Sequence, residues 1–442
     1  MTTSSLPSLG KSRGNSLRDW IWGISLAVFL TSCGEKANEP NEDANHTQTC
    51  PTGDNAPPPP TFANLNLATD PFSRAATKDS QLEVVRALFN REMGYRLPGA
   101  ADIVPEALFA EIREGYFLKT KGIDEHIRRE YHTFTHAMDV MVATHALLRG
   151  GGAVFLTADE QAALVLAALG HDILHSGTNN AFLVKIGHPL VAEFGGDGLL
   201  EKRSAKHLLM LLDKHEVLVV KEGMDETTKG AVSDARAIIE QSILWTDMKR
   251  HNDLVKQVSS AIDKVVAALN RARESAGFAD VNASKGATDD DVVAGIQVAP
   301  LLDNETRILL AAFMLHCADV SNPTKDWELC ERWAVLVMNE FFSQGDVERK
   351  LGHKLSMNCD RETVSIPKSQ LGFGNYVIRS LFQLLKKITY TSGNTVLEQF
   401  EANHKRWEAL AKSEGETGKP YQMHFRPPSR EGGWIGELRE GE

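Results

Sequence analysis

The densest chemistry in the sequence lies in eleven residues at 170–180, reading Gly-His-Asp-Ile-Leu-His-Ser-Gly-Thr-Asn-Asn at the end of a long apolar run. His171 and His175 stand four apart, and Asp172 follows the first directly. Imidazole with carboxylate suits zinc, manganese or iron(II), and an aspartate that offers both oxygens can bridge to a second, harder ion such as magnesium. Two further clusters repeat the theme: Tyr131-His132-Thr133-Phe134-Thr135-His136 upstream, and His316-Cys317-Ala318-Asp319 downstream. His132 and His136, at a spacing of four, are expected on one face of a helix. Adjacent His171 and Asp172 can serve one ion only where a helix ends, because successive helical side chains diverge by about 100°. Gly170 before them and Ser176-Gly177 after predict that break. Each pair alone is readily explained by packing, but three clusters on three separate apolar runs point to metal binding. A binuclear site of such ligands brings the pKa of a shared water toward neutrality and clamps phosphoryl oxygens, which is what phosphoester hydrolysis needs.

The elements that must position these residues are helical. Apolar residues recur at spacings of three and four over 80–89, 105–118, 132–148, 158–169, 199–212, 231–244, 253–268, 305–315, 326–342 and 376–388. Gly and Pro sit mostly between these runs, and strand-like alternation is scarce. The expectation is an all-α fold, a single large multi-helix domain over 75–425, with 426–442 a C-terminal tail. Residues 271–298, rich in Ala, Asp, Ser and Gly, read as a solvated surface insertion. His145, His207 and His215 lie on helical runs and read as packed or surface residues. A chain of 442 residues with 42% hydrophobic composition can hold a large core. Its net charge of -11 argues against nucleic acid as a partner. None of the five cysteines forms a CxxC pair, so the chemistry is not cysteine-based.

The N-terminus reads as a targeting segment. Lys11, Arg13 and Arg18 precede an apolar run at 21–30, the length of a signal-peptide core and too short to span a bilayer. Residues 1–32 are thus expected to be a signal peptide. Leu30, Thr31, Ser32 and Cys33 resemble the lipobox of bacterial lipoproteins, in which the cysteine is lipidated. Residues 33–74, polar and ending in a proline run at 57–60 before a transitional stretch, are expected to be a disordered tether. Together these place the protein in a bacterial cell envelope, lipid-anchored and facing the periplasm or exterior.

With the motifs set side by side, the sequence resembles the class I 3′,5′-cyclic nucleotide phosphodiesterases, a branch of the HD-type metal hydrolases. The stretch at 131–140 is similar to that family's YHNxxHAxDV signature, with Thr133 for Asn. The stretch at 171–180 is similar to HDxxHPGxxN, with Ser176 for Pro. Further matches are Trp245-Thr246-Asp247-Met248, the run from His316 through Asn322 to Lys325, Glu340 through Asp346, and Ser369-Gln370-Leu371-Gly372-Phe373. The resemblance implies hydrolysis of the 3′ phosphoester of cAMP and/or cGMP to a nucleoside 5′-monophosphate, by a hydroxide bridging Zn2+ and Mg2+ (or Mn2+). It implies His136, His171, Asp172 and Asp319 as metal ligands, with His175, Glu201 and Thr246 steadying metal-bound water. His132 becomes the general acid that protonates the leaving 3′ oxygen. The purine would meet Gln370 and Phe373, with Val337 opposite Phe373 and with Tyr131, Met248, Asn322 and Phe341 around it. The sequence departs from the family at Lys202-Arg203-Ser204, where Asn-His-His is usual, and at Cys330, where relatives preferring adenine often carry tyrosine. Two other readings stay open: an HD-type hydrolase of another phosphate ester, and a non-catalytic lipoprotein that binds nucleotide or metal. Nucleotide preference and oligomeric state are left undecided by these residues.

Overall fold

A computed structural model describes residues 66–422 apart from 67, 75–76, 91–93, 100–103, 119–125 and 279–284. The expected signal peptide, most of the expected tether and the expected tail lie outside the described residues. Fifteen α-helices are present among the described residues, and the only β feature there is an isolated bridge between Ala287 and Thr389. They are α1 (Lys78–Leu88), α2 (Glu106–Gly115), α3 (Phe134–Arg149), α4 (Ala158–Gly170), α5 (Asn180–Lys185), α6 (Pro189–Phe194), α7 (Leu199–Lys214) and α8 (Glu226–Leu244). There follow α9 (His251–Ser275), α10 (Asp289–Val293), α11 (Asn304–Asp319), α12 (Trp327–Lys350), α13 (Ile366–Phe373), α14 (Arg379–Ile388) and α15 (Tyr390–Thr417). None of the described helices is long and apolar enough to cross a membrane.

The middle of the fold is α4, which packs on α3, α8 and α11, while α11 also packs on α3 and α8. Residues 162–170 of α4 are all buried, as expected of a helix that is apolar on every side. Its start is set by a capping box: the Thr157 hydroxyl accepts from Glu160 N, and the Glu160 carboxylate accepts from Thr157 N. Glu160 also takes Arg307 Nε of α11 at 2.8 Å, which locks the two central helices in register. The end of α4 is as specific. A Cβ on Gly170 would lie 2.6 Å from Leu208 Cδ2 of α7, so any larger residue would have to displace the Leu208 side chain. Beyond it the chain turns sharply, with Leu174 at φ 65°.

Four expectations need correction. The α3 helix begins at Phe134 with Thr133 extended as its N-cap, so His132 precedes the helix and shares no helical face with His136. The last residues of the expected tether are folded: Pro71–Arg74 forms a 3-10 turn, and Phe72 packs 4.7 Å from Trp333. The segment 271–298 is not a solvated loop where it is described. Helix α9 runs on to Ser275, Arg273 forms a buried pair with Asp291 and donates to Gly286 O at 3.0 Å, and Ile296 and Val298 are buried. Its composition resembles a loop because charge pairing, not apolar burial, does much of the anchoring. Finally α15, the longest of the described helices, lies beyond the last helical run expected from the sequence. Its buried face includes Ser392, Asn403 and His404 beside Val396, Phe400 and Trp407, so the helical spacing is present but filled partly by polar residues.

Candidate metal centre

Three helix ends meet at one point. His136 sits in the first turn of α3, His171 and Asp172 follow the end of α4, and Asp319 is the last residue of α11. A ligand atom from each of the four lies within 4.8 Å of the others. His136 Nε2 is 3.0 Å from Asp319 Oδ1 and 3.7 Å from Asp172 Oδ2. His171 Nε2 is 3.1 Å from Asp172 Oδ2 and 3.3 Å from Asp319 Oδ1. The imidazoles are fully buried, whereas the carboxylates keep some exposure, so the cluster opens on its carboxylate side. The His171 Nδ1 proton goes to Ala168 O at 2.8 Å, which leaves the Nε2 lone pair facing the carboxylates. Burial favours neutral groups here, but the Asp172 and Asp319 charges outweigh it and hold His171 well above the ordinary imidazole range. Asp172 and Asp319 are held below the ordinary carboxylate range, burial being outweighed mainly by His171. Two half-buried carboxylates this close are stabilised by positive charge set between them. Two imidazole nitrogens with two carboxylate oxygens are the donor set of a borderline divalent ion, so the residues fit such a metal.

A second group adjoins the first. Glu340 of α12 is almost fully buried, and its Oε2 accepts from the backbone N–H of Glu130 at 3.0 Å, Tyr131 at 2.8 Å and His132 at 3.2 Å. Its Oε1 pairs with His132 Nδ1. One carboxylate thereby fixes both the stretch of chain leading into α3 and the imidazole on it. Burial alone would depress the His132 pKa, but Glu340, then Asp172, raise it to about 9. Glu340 itself is lowered to about 2, its burial being overridden by His132. His175 stacks on His132 with ring centroids 3.8 Å apart, and burial followed by the His132 charge pushes its pKa down to about 3. His175 Nδ1 accepts from Gly177 N at 3.0 Å, so the neutral ring carries its proton on Nε2 and is a donor, not a ligand.

The remaining expected residues divide. Glu201 on α7 accepts from Asn180 Nδ2 at 2.9 Å, and its pKa is raised to about 7 by burial and by Asp247. Asp247 thus joins this acidic group, although sequence reasoning had assigned its neighbour Thr246, whose hydroxyl donates to Ile243 O at 2.8 Å. Two of the residues that depart from the expected pattern brace the turn after His171 and Asp172: Arg203 Nη1 donates to Leu174 O and Ser204 Oγ to Ile173 O, each at 2.9 Å. Tyr131 lies 4.4 Å from the His136 ring and donates its hydroxyl to Asn322 Oδ1. Val337 and Phe341 occupy one face of α12, Gln370 and Phe373 one face of α13, and Met248 follows α8; all five are half-buried. Glu340 lay within a recognised motif but had no assigned role, and Asp247 likewise. No spacing signals the Glu340 contact, since 208 residues separate it from His132.

The model of the family described as 3′5′-cyclic nucleotide phosphodiesterase matches residues 131–400. Among curated proteins, the chain is 28% identical over 300 residues to a probable 3′,5′-cyclic-AMP phosphodiesterase of Caenorhabditis elegans, covering 67% of this chain and 40% of that protein. It is 30% identical over 286 residues to a 3′,5′-cyclic-AMP phosphodiesterase, isoform F, of Drosophila melanogaster, covering 63% and 38% respectively. The matched region thus spans about two fifths of the length of these relatives. In fold, the chain is similar to the crystal structure of the phosphodiesterase domain of the RhoPDE fusion protein from the choanoflagellate Salpingoeca rosetta. That likeness has a TM-score of 0.57 and 23% identity, and it covers 80% of this chain and 97% of the other.

Proposed function

The chain belongs to the 3′5′-cyclic nucleotide phosphodiesterase family, and from that premise we propose that it hydrolyses the 3′ phosphoester bond of cyclic nucleotides to give a nucleoside 5′-monophosphate. The observation that carries the reading is the His132–Glu340 pair standing beside the cluster of His136, His171, Asp172 and Asp319. Those four residues would hold zinc, and zinc with a second ion, magnesium or manganese, would supply Lewis acidity toward the phosphoryl oxygens and an activated water. The chain's own residues do the rest. The Glu340 carboxylate accepts a hydrogen bond from Nδ1–H of the charged His132 ring, which leaves Nε2–H as the proton that passes to the departing 3′ oxygen. An alkoxide leaves poorly at neutral pH, so a charged imidazole there removes a large part of the barrier. His175, Glu201 and Thr246 orient water, and a base slot is built from Gln370, Phe373, Val337, Phe341, Met248, Asn322 and Tyr131. The names of the two relatives make cAMP the first substrate to try, with cGMP beside it.

The deciding experiment measures turnover of both nucleotides by the metal-supplemented protein, with chelator and His132→Ala controls. Release of 5′-monophosphate, lost with chelator and lowered by about two orders of magnitude or more in the variant, is the expected result. Folded, metal-loaded protein that leaves both nucleotides intact overturns the reading in favour of another phosphate ester or of a binding protein. Metal analysis of the purified protein is expected to find zinc retained and magnesium or manganese exchangeable.

We further propose that Cys33 is lipidated and anchors the domain at a bacterial cell envelope, through residues 33–65 of the tether. The support is the basic, apolar and Cys33-ending order of residues 11–33. Acyl labelling of the full chain that disappears in Cys33→Ser, with release from the membrane fraction, is the expected outcome. Equal labelling and fractionation of the two forms removes the proposal.

A further inference from the structure

Three residues past the end of the family match, α15 lays Asn403 against the turn Asn322–Thr324. Asn403 is 1% exposed, and both of its amide protons are spent on that turn: Nδ2 donates to Pro323 O at 2.9 Å and to Lys325 O at 2.7 Å. Its Oδ1 accepts from Gln399 Nε2 at 3.2 Å, so a flipped amide loses all three bonds. On its other side the turn is held by α3. Lys325 Nζ lies 2.8 Å from Asp139 Oδ1, with both side chains buried, and Asn322 Nδ2 donates to Asp139 Oδ2 at 3.3 Å. The Asn322 carbonyl in turn accepts from the Tyr131 hydroxyl.

The turn is therefore gripped through its backbone by α15 and through its side chains by α3. Asn322 is left with one amide orientation, oxygen toward Tyr131 and nitrogen toward Asp139. Without Asn403, two buried carbonyls lose their donor and the turn must move to find others. Asp319, the nearest metal ligand, lies upstream inside α11, where the helix end is closed by Val320 N donating to His316 O at 3.2 Å. Asn322 lies beyond that helix end, in the single 3-10 turn Asn322–Thr324, closed by Lys325 N donating to the Asn322 backbone carbonyl at 3.3 Å. Movement of the turn is therefore felt at Asn322 before it is felt at the metal ligands.

We propose that Asn403 is a positioning residue for nucleoside recognition, holding the Asn322 amide in its single orientation through the turn between them. The proposal rests on the cyclic-nucleotide reading above. It is tested with the full chain on two substrates, cAMP and bis(p-nitrophenyl) phosphate, a diester with no purine. Asn403→Ala is expected to raise KM for cAMP by about tenfold or more, with kcat within about threefold and turnover of the purine-free diester unchanged. On an Asn322→Ala background the same change is expected to add nothing, because the two residues act in series. Equal losses on both esters, additive losses in the double variant, or no loss at all would each overturn it. Should Asn403→Ala not fold, Asn403→Ser keeps one donor and is expected to show a smaller shift confined to cAMP; a loss shared by both esters overturns the proposal there too. A wild type that cleaves the purine-free diester but no cyclic nucleotide sinks the substrate reading itself, and this outcome is distinct from the others.

Discussion

At the scale of single residues, the feature that most shapes the proposed chemistry is the carboxylate of Glu340 behind His132. A general acid must be protonated at the working pH and still able to give its proton up. Burial works against the charged imidazole, and Glu340 restores it, so His132 stands raised to about 9 and is charged near neutrality. Glu340→Gln keeps an oxygen for the backbone N–H groups but removes the charge. The charged form of His132 is then less favoured, its pKa falls, and the basic limb of the pH–rate profile moves to lower pH. A profile recorded for both proteins tests this. An unmoved basic limb would mean that another group sets it. His132 and the four clustered residues were singled out in the sequence because their types and spacings are local. Glu340 was in view as part of a motif, but its role was not, because that role is a contact across 208 residues.

At the scale of elements, the site depends on where helices stop. Ends of α3, α4 and α11 deliver the ligands, and Gly170 and the positive φ of Leu174 make the α4 end sharp enough for His171 and Asp172 to face one point. The run of apolar residues in α4 made that helix easy to foresee. The segment after α9 was not, because its anchor is the Arg273–Asp291 pair with side chains 9% and 6% exposed. Arg273→Ala leaves the buried Asp291 carboxylate without its counter-charge and two carbonyls without that donor, and a cost of about 3 kcal/mol in unfolding free energy is expected. Urea denaturation checks this. A change within about 0.5 kcal/mol, as at an ordinary surface position, would mean that the segment is solvated after all.

At the scale of the whole molecule, a divalent ion at the cluster would tie three helices of the central layer together. Chelation is expected to lower the melting temperature and zinc to restore it, since an ion that binds only the folded chain stabilises it by about 4 kcal/mol at a thousandfold excess over Kd. Calorimetry with and without chelator measures this, and identical melting curves would argue against a bound structural ion. The sequence alone was enough for the all-α class, most of the long helices and the metal-type ligands, because helical periodicity and the spacing of His and Asp are properties of neighbouring residues. Only the tertiary structure decided that His132 stands outside α3, that α15 exists, and that Glu340, Asp247 and Asn403 reach the site or the turn beside it. These depend on polar groups paired across long stretches of chain. Such pairs are buried for their hydrogen bonds and charges, and so leave no apolar rhythm in the sequence to read.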